Sequence, residues 1–299
     1  MPHASRSSRL HVRIALAVGA GVIAALIYGG QFVVTRWSMQ RTLSSWDLAA
    51  LRVAVAGALM LPIVARHGVA RIGWKRSLAL AIAAGAPYTL IMQAGLVVAP
   101  AAHGAVIVPG ATPVVSAVLL WMWRGERPWP AKIAGLALIV IGLVLVGWPA
   151  LGGGGEDAVW VGDLLFVAAA VLWGLFTVLT RVWNIDPIRG TAVVWVMSLA
   201  YLPFYVALSG SSLLHAPRGE VIFQAVYQGV GVAVIALVLF SRAIGVLGVS
   251  SASLFMPLVP VFGVLLGVPV LGEVPAAIQL AGMAGVSVGI ALAAARPRW

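Results

Sequence analysis

The sequence predicts an all-α polytopic membrane protein whose ten transmembrane helices form two inverted five-helix repeats. Three observations predict it. The 299 residues are 62% hydrophobic and only 9% charged, where a soluble domain carries roughly 25% charged residues. Charge-free runs such as Val97 to Trp123 and Val221 to Phe240 reach the roughly 20 residues that cross a bilayer. Finally, RGERPWP from Arg124 and LGEVP from Leu271 place the same Gly-Glu-x-Pro core at the ends of two apolar runs.

Turn residues and charges divide the chain into its spans. The basic start, 1–13, precedes an apolar run from Ile14 to Val34 that is too long for a cleaved signal segment, so 14–35 is span one. Span two, 46–65, carries Asp47 near its start and Arg52 inside it. Span three, 77–98, follows Lys75 and Arg76, and span four, 101–123, runs up to Arg124. Span five, 131–149, leads into the Gly-rich linker 151–159, which divides a first repeat, 14–150, from a second, 160–295. Span six, 160–181, ends at Arg181; span seven is 191–209, span eight 220–241, span nine 248–271 and span ten 276–295, with a short tail, 296–299.

Fifteen of the 19 Lys and Arg residues fall on the side of the N-terminus, three fall opposite, and Arg52 lies within a span. By the positive-inside rule both termini are cytoplasmic. In that topology the net charge of +11 is a property of short loops and requires no nucleic acid. There is no cysteine, which removes disulfides and thiolate metal sites.

A shift of 147 positions lays Ala105, Pro113, Gly125, Glu126, Pro128, Gly135 and Gly142 on Ala252, Pro260, Gly272, Glu273, Pro275, Gly282 and Gly289. A shift of 145 lays Tyr28-Gly29, Thr35 and Arg36 on Trp173-Gly174, Thr180 and Arg181. Five spans per copy is an odd number, so the second copy enters the membrane from the other side, with Glu126 and Glu273 on opposite faces. Inverted repeats of this kind place a solute site near the midplane and support alternating access. The Gly-Glu-x-Pro string itself suits a helix end: glycine stops one helix, the carboxylate caps the start of the next, and proline enters its first turn.

With these features in this order the chain resembles the drug/metabolite transporter superfamily, in its EamA-type branch of two five-helix repeats. Within that branch it looks most like the YddG-type exporters of aromatic and other neutral amino acids. The resemblance rests on the ten spans, the aromatic-glycine pairs Tyr28-Gly29 and Trp173-Gly174, and the runs from Pro113 to Pro128 and from Pro260 to Pro275. It implies export of such amino acids from a bacterial inner membrane, through a cavity lined mainly by spans one, three, four, six, eight and nine. Another small metabolite or a drug, such as a nucleobase or a sugar, with or without proton coupling, is the alternative.

Polar and aromatic residues inside spans are the candidates for the solute path, because polar groups in hydrocarbon are costly unless paired or facing water. They are Tyr28, Gln31, Tyr88, Gln93, His103, Trp173, Thr177, Gln224, Tyr227 and Gln228, with Ser250, Ser251 and Ser253 beside them. Aromatic rings could stack on an apolar solute body while glutamine and serine hold its polar ends. Trp173 reads equally as a packing residue, and His103 as one half of a helix–helix hydrogen bond. Trp46, Trp74, Trp121, Trp123, Trp129, Trp148 and Trp160 lie at span ends as an interfacial belt, and Trp195 is read the same way. Arg52 either snorkels outward, pairs with Asp47, or attracts a solute carboxylate. The matched prolines Pro113 and Pro260 are the expected hinges.

No mid-span carboxylate is present, so facilitated movement of a neutral or zwitterionic solute is expected. The spans carry no nucleophile–base pair, paired aspartates or metal-ligand set, so no enzyme, metal or other cofactor is expected. The expected partners are the solute and the lipid bilayer. Gly-rich faces on spans five and ten allow close packing within the chain or in a homodimer.

Overall fold

The computed structural model describes residues 3–67, 69, 72–151, 158–208, 213 and 215–294. Most of the linker at 151–159, the tail at 296–299 and the side chain of Ser250 lie outside the described residues, as do the side chains of 3–10. Among those described, ten helices are long and apolar enough to cross a membrane: α1 His11–Met39, α2 Ser45–Arg66, α3 Trp74–Val98, α4 Ala101–Arg124, α5 Pro130–Pro149, α6 Val159–Val182, α7 Pro187–Leu208, α8 Arg218–Leu247, α9 Ser253–Leu271 and α10 Ala277–Ala294. Helices suit this role because each closes its backbone hydrogen bonds within itself, in a medium that supplies none.

The helices differ from the expected spans mainly at their ends, where local chemistry extends them. Helix α1 continues to Met39 and α8 runs from Arg218 to Leu247, beyond the charges that marked their limits. Helix α7 starts at Pro187, because the Asp186 carboxylate accepts from the Arg189 N–H at 3.0 Å and caps it. Charge alone had placed that start after Arg189. At α2 a reciprocal cap forms: Ser44 N–H donates to Asp47 Oδ2 at 2.8 Å, and Asp47 N–H donates to Ser44 Oγ at 3.2 Å.

Three helices are interrupted, and α9 opens with a 3₁₀ turn at Ser253–Phe255 before its α-helix Leu258–Leu271. Helix α3 breaks at Gly85, where Ser198 Oγ from α7 accepts the Ala86 N–H at 3.0 Å. Helix α7 breaks into Pro187–Ser198 and Tyr201–Leu208, four residues ahead of Pro203, whose ring displaces the carbonyl of Leu199. Helix α8 is π-helical over Ala225–Ala236, between α-helical ends. Such segments recur at functional sites, and this one carries Tyr227 and Gln228.

Glycines hold the two repeats together. A Cβ at Gly135 would meet Gly289 O at 2.7 Å, and one at Gly142 would meet Gly282 O at 2.6 Å. The contact is antiparallel and maps onto itself under the shift of 147 positions, since 135 becomes 282 and 142 becomes 289. It is the geometry of a two-fold axis lying in the membrane plane. The glycine faces of α5 and α10 therefore face one another within one chain.

A second pair of seams follows the same symmetry. A Cβ on Gly29 of α1 would meet Val259 O at 2.6 Å and the Phe262 side chain at 2.9 Å, both on α9. A Cβ on Gly174 of α6 would meet the Val115 side chain at 2.8 Å and Thr112 O at 3.4 Å, both on α4. Thr112 and Val115 are the positions that the shift of 147 carries onto Val259 and Phe262. The first helix of each repeat thus packs on the fourth helix of the other.

Trp46, Trp74, Trp121, Trp123, Trp148 and Trp160 are exposed at helix ends, as an interfacial belt requires. Trp195 is not part of it. It is buried against Val53, Ala56 and Met60 of α2, because α7 packs there with its middle rather than its end.

Backbone atoms in the α5–α10 contact cannot swing aside for a side chain. Gly142→Val is expected to cost about 1–3 kcal/mol by overpacking, and to lower the thermal midpoint of detergent-solubilised protein by several degrees. Gly245→Ala, with nothing within 4 Å, should leave that midpoint unlowered. Equal behaviour of the two variants would contradict the packing.

Candidate functional site

The centre of the bundle is built on Arg52, 2% exposed in α2. Its Nη2 donates to Gln31 Oε1 of α1 at 2.7 Å, and its Nε donates to Gln228 Oε1 of α8 at 3.1 Å. Gln228 Nε2 donates in turn to Thr35 Oγ1 at 2.6 Å, while Gln224 Nε2 donates to Val34 O and Ser38 Oγ, both at 2.8 Å. Arg52 therefore does not snorkel outward. The Asp47 carboxylate meets Ser44 and the Tyr205 hydroxyl at the end of α2. Burial of the polar chain excludes water from these bonds, and each carbonyl or hydroxyl oxygen in it accepts a donor.

Several aromatic rings pair with one another inside the bundle. Tyr28 lies partly buried on α1, three residues before Gln31, and Tyr88 is buried on α3. Tyr88 packs against Trp173 with ring centroids 5.1 Å apart, and Trp173 against Phe176 at 5.2 Å, each pair tilted by 38°. Tyr227 donates to Ile27 O at 3.1 Å and lies against Phe223 at 5.9 Å. Trp173 remains 37% exposed beside Tyr88. Thr177 is exposed one turn further along, its hydroxyl donating to Trp173 O at 2.9 Å.

Gln93 of α3 is fully buried, and neither its Oε1 nor its Nε2 has a hydrogen-bond partner; the Thr89 hydroxyl one turn earlier is in the same condition. Ala86, Thr89 and Gln93 share one helix face, and Ala86 packs on Val53 and Ala56 of α2. At Ala86 that face joins an apolar cluster with the helix that carries Arg52.

His103 belongs to a different cluster. Its Nδ1 lies 2.7 Å from Asp163 Oδ1 and its Nε2 lies 2.8 Å from Gln279 Nε2, joining α4, α6 and α10 near one end of the bundle. The helix–helix reading of His103 fits this geometry. The expected hinge prolines differ in setting: Pro113 lies inside continuous α4, whereas Pro260 follows a 3₁₀ turn at Ser253–Phe255 that opens α9.

The Gly-Glu-x-Pro strings form the two ends of the site. Gly125 and Gly272 take positive φ, 65° and 71°, and end α4 and α9 as helix stops. Their glutamates do not cap the following helices. At the start of α10 the Ala276 N–H is taken by Gln279 Oε1 at 2.8 Å, and Pro130, rather than Pro128, opens α5. Instead each glutamate crosses to the other repeat. Glu273 pairs with Arg36 and accepts the Ala101 N–H at 2.8 Å, while Arg36 also donates to Leu96 O at 2.6 Å. Glu126 pairs with Arg181 at 2.7 Å.

The two ion pairs are related by the repeat but unequal in surroundings. Arg36 and Glu273 are 14% and 15% exposed; Arg181 and Glu126 are 59% and 40% exposed. Five crossings separate Glu126 from Glu273, so the pairs lie at opposite ends of the bundle. One pair is largely buried and tied to the backbone, and the other is exposed.

The EamA-like transporter family matches the chain twice, over residues 15–148 and 160–295. The chain belongs to that family. It is a multi-pass membrane transporter of small substrates, and the twofold match is the duplication read from the sequence. A solved crystal structure is similar over 93% of this chain and 97% of its own, at 25% sequence identity and a TM-score of 0.60. No curated protein matches the chain.

Sequence reasoning named Gln31, Gln224 and Gln228 as path candidates but read Arg52 apart from them, and it missed Thr35, Ser38, Asp163, Gln279 and both Arg–Glu partnerships. Arg36, Arg181, Glu126 and Glu273 were visible as matched positions. Crossing the two matches would have paired them.

A buried amide with no partner costs about 1–3 kcal/mol. Gln93→Leu in the EamA-like transporter should therefore hold or raise the thermal midpoint while it lowers solute flux. A loss of stability with flux intact would show that Gln93 serves packing.

Proposed function

We propose that the protein exports aromatic and other neutral amino acids across a bacterial inner membrane, facilitatively and by alternating access between its inverted repeats. Both termini are then cytoplasmic, as the distribution of Lys and Arg suggests, and the Arg36–Glu273 end faces outward. One observation carries the cycle: two symmetry-related Arg–Glu pairs of which one is buried and backbone-anchored and the other solvated. In this orientation the conformer is closed outside and accessible from the cytoplasm, ready to load solute for export. The opposite conformer exchanges the two environments, with Arg181–Glu126 drawn in and Arg36–Glu273 released. Pro113 and Pro260 are the bending points in this reading, one helix continuous and the other broken in each conformer.

The rings of Tyr28, Tyr88, Trp173 and Tyr227 suit a flat apolar side chain, and Arg52, Gln31, Gln93 and Gln228 suit its polar end. Gln224 and Thr177 sit beside this set. Radiolabelled phenylalanine should exchange across proteoliposomes and be displaced by other neutral amino acids, and not by a sugar or a purine. Displacement by the purine or the sugar alone would replace the amino-acid reading with the metabolite alternative.

Proton coupling has a specific observation in its favour. Asp163 faces His103 with one oxygen and has its other, Oδ2, buried without a partner. Exchange that accelerates under an imposed pH gradient, and loses that response in Asp163→Asn, would establish coupling; unchanged exchange leaves the facilitative mechanism.

The chain has no cysteine, so an introduced cysteine reports without background. Arg36→Ala leaves Glu273 buried without its counter-charge, which costs about 3–5 kcal/mol unless water enters. The variant should increase thiol labelling of a Cys placed at Leu96 at least severalfold. Arg181→Ala, at an exposed pair worth about 0–1 kcal/mol, should leave that labelling unchanged. Equal effects of the two would remove the gating role.

A further inference from the structure

We infer that Arg52 is the seat for the carboxylate of the solute, with Gln93 beside it, so that the protein recognises flat, largely apolar monocarboxylates by acid group and ring rather than by their ammonium group. This rests on the reading of the bundle centre as the solute site, and goes beyond it by naming which end of an amino acid is read.

The first support is charge balance. Arg52 lies inside α2 with neutral hydrogen-bond acceptors, Gln31 and Gln228. Among the described residues no carboxylate oxygen comes within 4.0 Å of it. A cation in the membrane interior is costly, and intramembrane charges usually find a partner or face a pathway. Its bonds run through Nε and Nη2, so Nη1, with two more N–H donors, stands outside them. The guanidinium fork matches a carboxylate with two oxygens.

The second support is Gln93, fully buried with both amide atoms unpartnered among the described residues, on the helix face shared with Ala86, which clusters with Val53 and Ala56 of α2. A buried amide without a partner gains a donor or acceptor when a polar ligand arrives. The third is the absence of anything to hold an ammonium ion by charge. Every described Asp and Glu lies in a loop or in the first two turns of a helix: Asp47, Glu126, Asp163, Asp186, Glu220 and Glu273. The ammonium of an amino acid would therefore meet only tyrosine hydroxyls, ring faces and amides, and an acid that lacks it should lose little.

The test uses purified full-length protein in nanodiscs and three probes: phenylalanine, 3-phenylpropionate, which lacks the ammonium group, and 2-phenylethylamine, which lacks the carboxylate. Binding is read by thermal shift and by tryptophan fluorescence. The expected order has 3-phenylpropionate binding about as well as phenylalanine, and 2-phenylethylamine weaker by about tenfold or more, the value of a charged hydrogen-bonded contact. Arg52→Gln should abolish the difference between acid and amine, and Arg52→Lys should retain part of it. Should Arg52→Gln fail to fold, the three probes on the unaltered protein decide alone. Amine binding equal to acid, no binding of the acid, or an Arg52→Gln protein that still prefers the acid would each overturn the inference. Phenylalanine exchange in proteoliposomes separates the two readings. If phenylalanine does not exchange but 3-phenylpropionate binds through Arg52, amino-acid export fails and the carboxylate seat stands. If phenylalanine exchanges and the amine competes as well as the acid, export stands and the seat fails.

Discussion

The close backbone approach between opposite repeats is the constraint on which the structure depends. Lipid gives helices little hydrophobic reason to associate, so packing and interhelical hydrogen bonds must do it. Here the approach is limited by single atoms. Gly135 and Gly142 meet carbonyl oxygens of α10, and Gly29 meets a carbonyl of α9. Because these contacts join one repeat to the other, they also decide where the site lies. The seams α1–α9 and α6–α4 run from the Tyr28 and Trp173 rings near mid-membrane to the Arg36 and Arg181 side chains at their ends. In the proposed cycle, solute site and gates are therefore successive levels of the same two interfaces.

Much of this was legible in sequence because hydropathy and repetition are long-range signals. Ten spans and two inverted halves follow from lengths, charges and matched positions such as Pro113 and Pro260, without any side-chain geometry. Helix ends were less legible, since they turn on single caps: the Asp186 carboxylate starts α7 before a charged residue that suggested a loop. Trp195 was misplaced for a related reason. Its position near the expected span start suggested an interface, and only the packing of α7 on α2 buries it.

The site itself was half legible. Aromatic and amide residues inside spans were evident, but the repeat offered no help with their partners, because the chemistry of the site is not duplicated. Tyr28 has Trp173 as its counterpart, whereas the polar partners of Arg52 come from α1 and α8 with no matching cation in the second half. A symmetric scaffold thus carries an asymmetric ligand set. That is physically consistent with a solute that has distinct ends and needs only one orientation in the pocket.

Under the proposed alternating access, a duplicated sequence can be balanced between two conformers. Pairs of identical residue type stand at both ends, so neither conformer is favoured by the Arg and Glu side chains as such. The difference comes from what closes around them. At the buried end Arg36 and Glu273 add bonds to Leu96 O and Ala101 N, and charged hydrogen bonds contribute about 1.5–3 kcal/mol each. Desolvation of the pair opposes that gain and can exceed the attraction between the charges. Two large terms of opposite sign leave a small remainder, and reversing a 1:99 population needs about 5.5 kcal/mol of differential affinity. A gate whose net bias is a few kcal/mol is within reach of solute binding at the centre. A purely apolar seal of the same area would have no such cancellation, and would hold one conformer too firmly for the other to be visited.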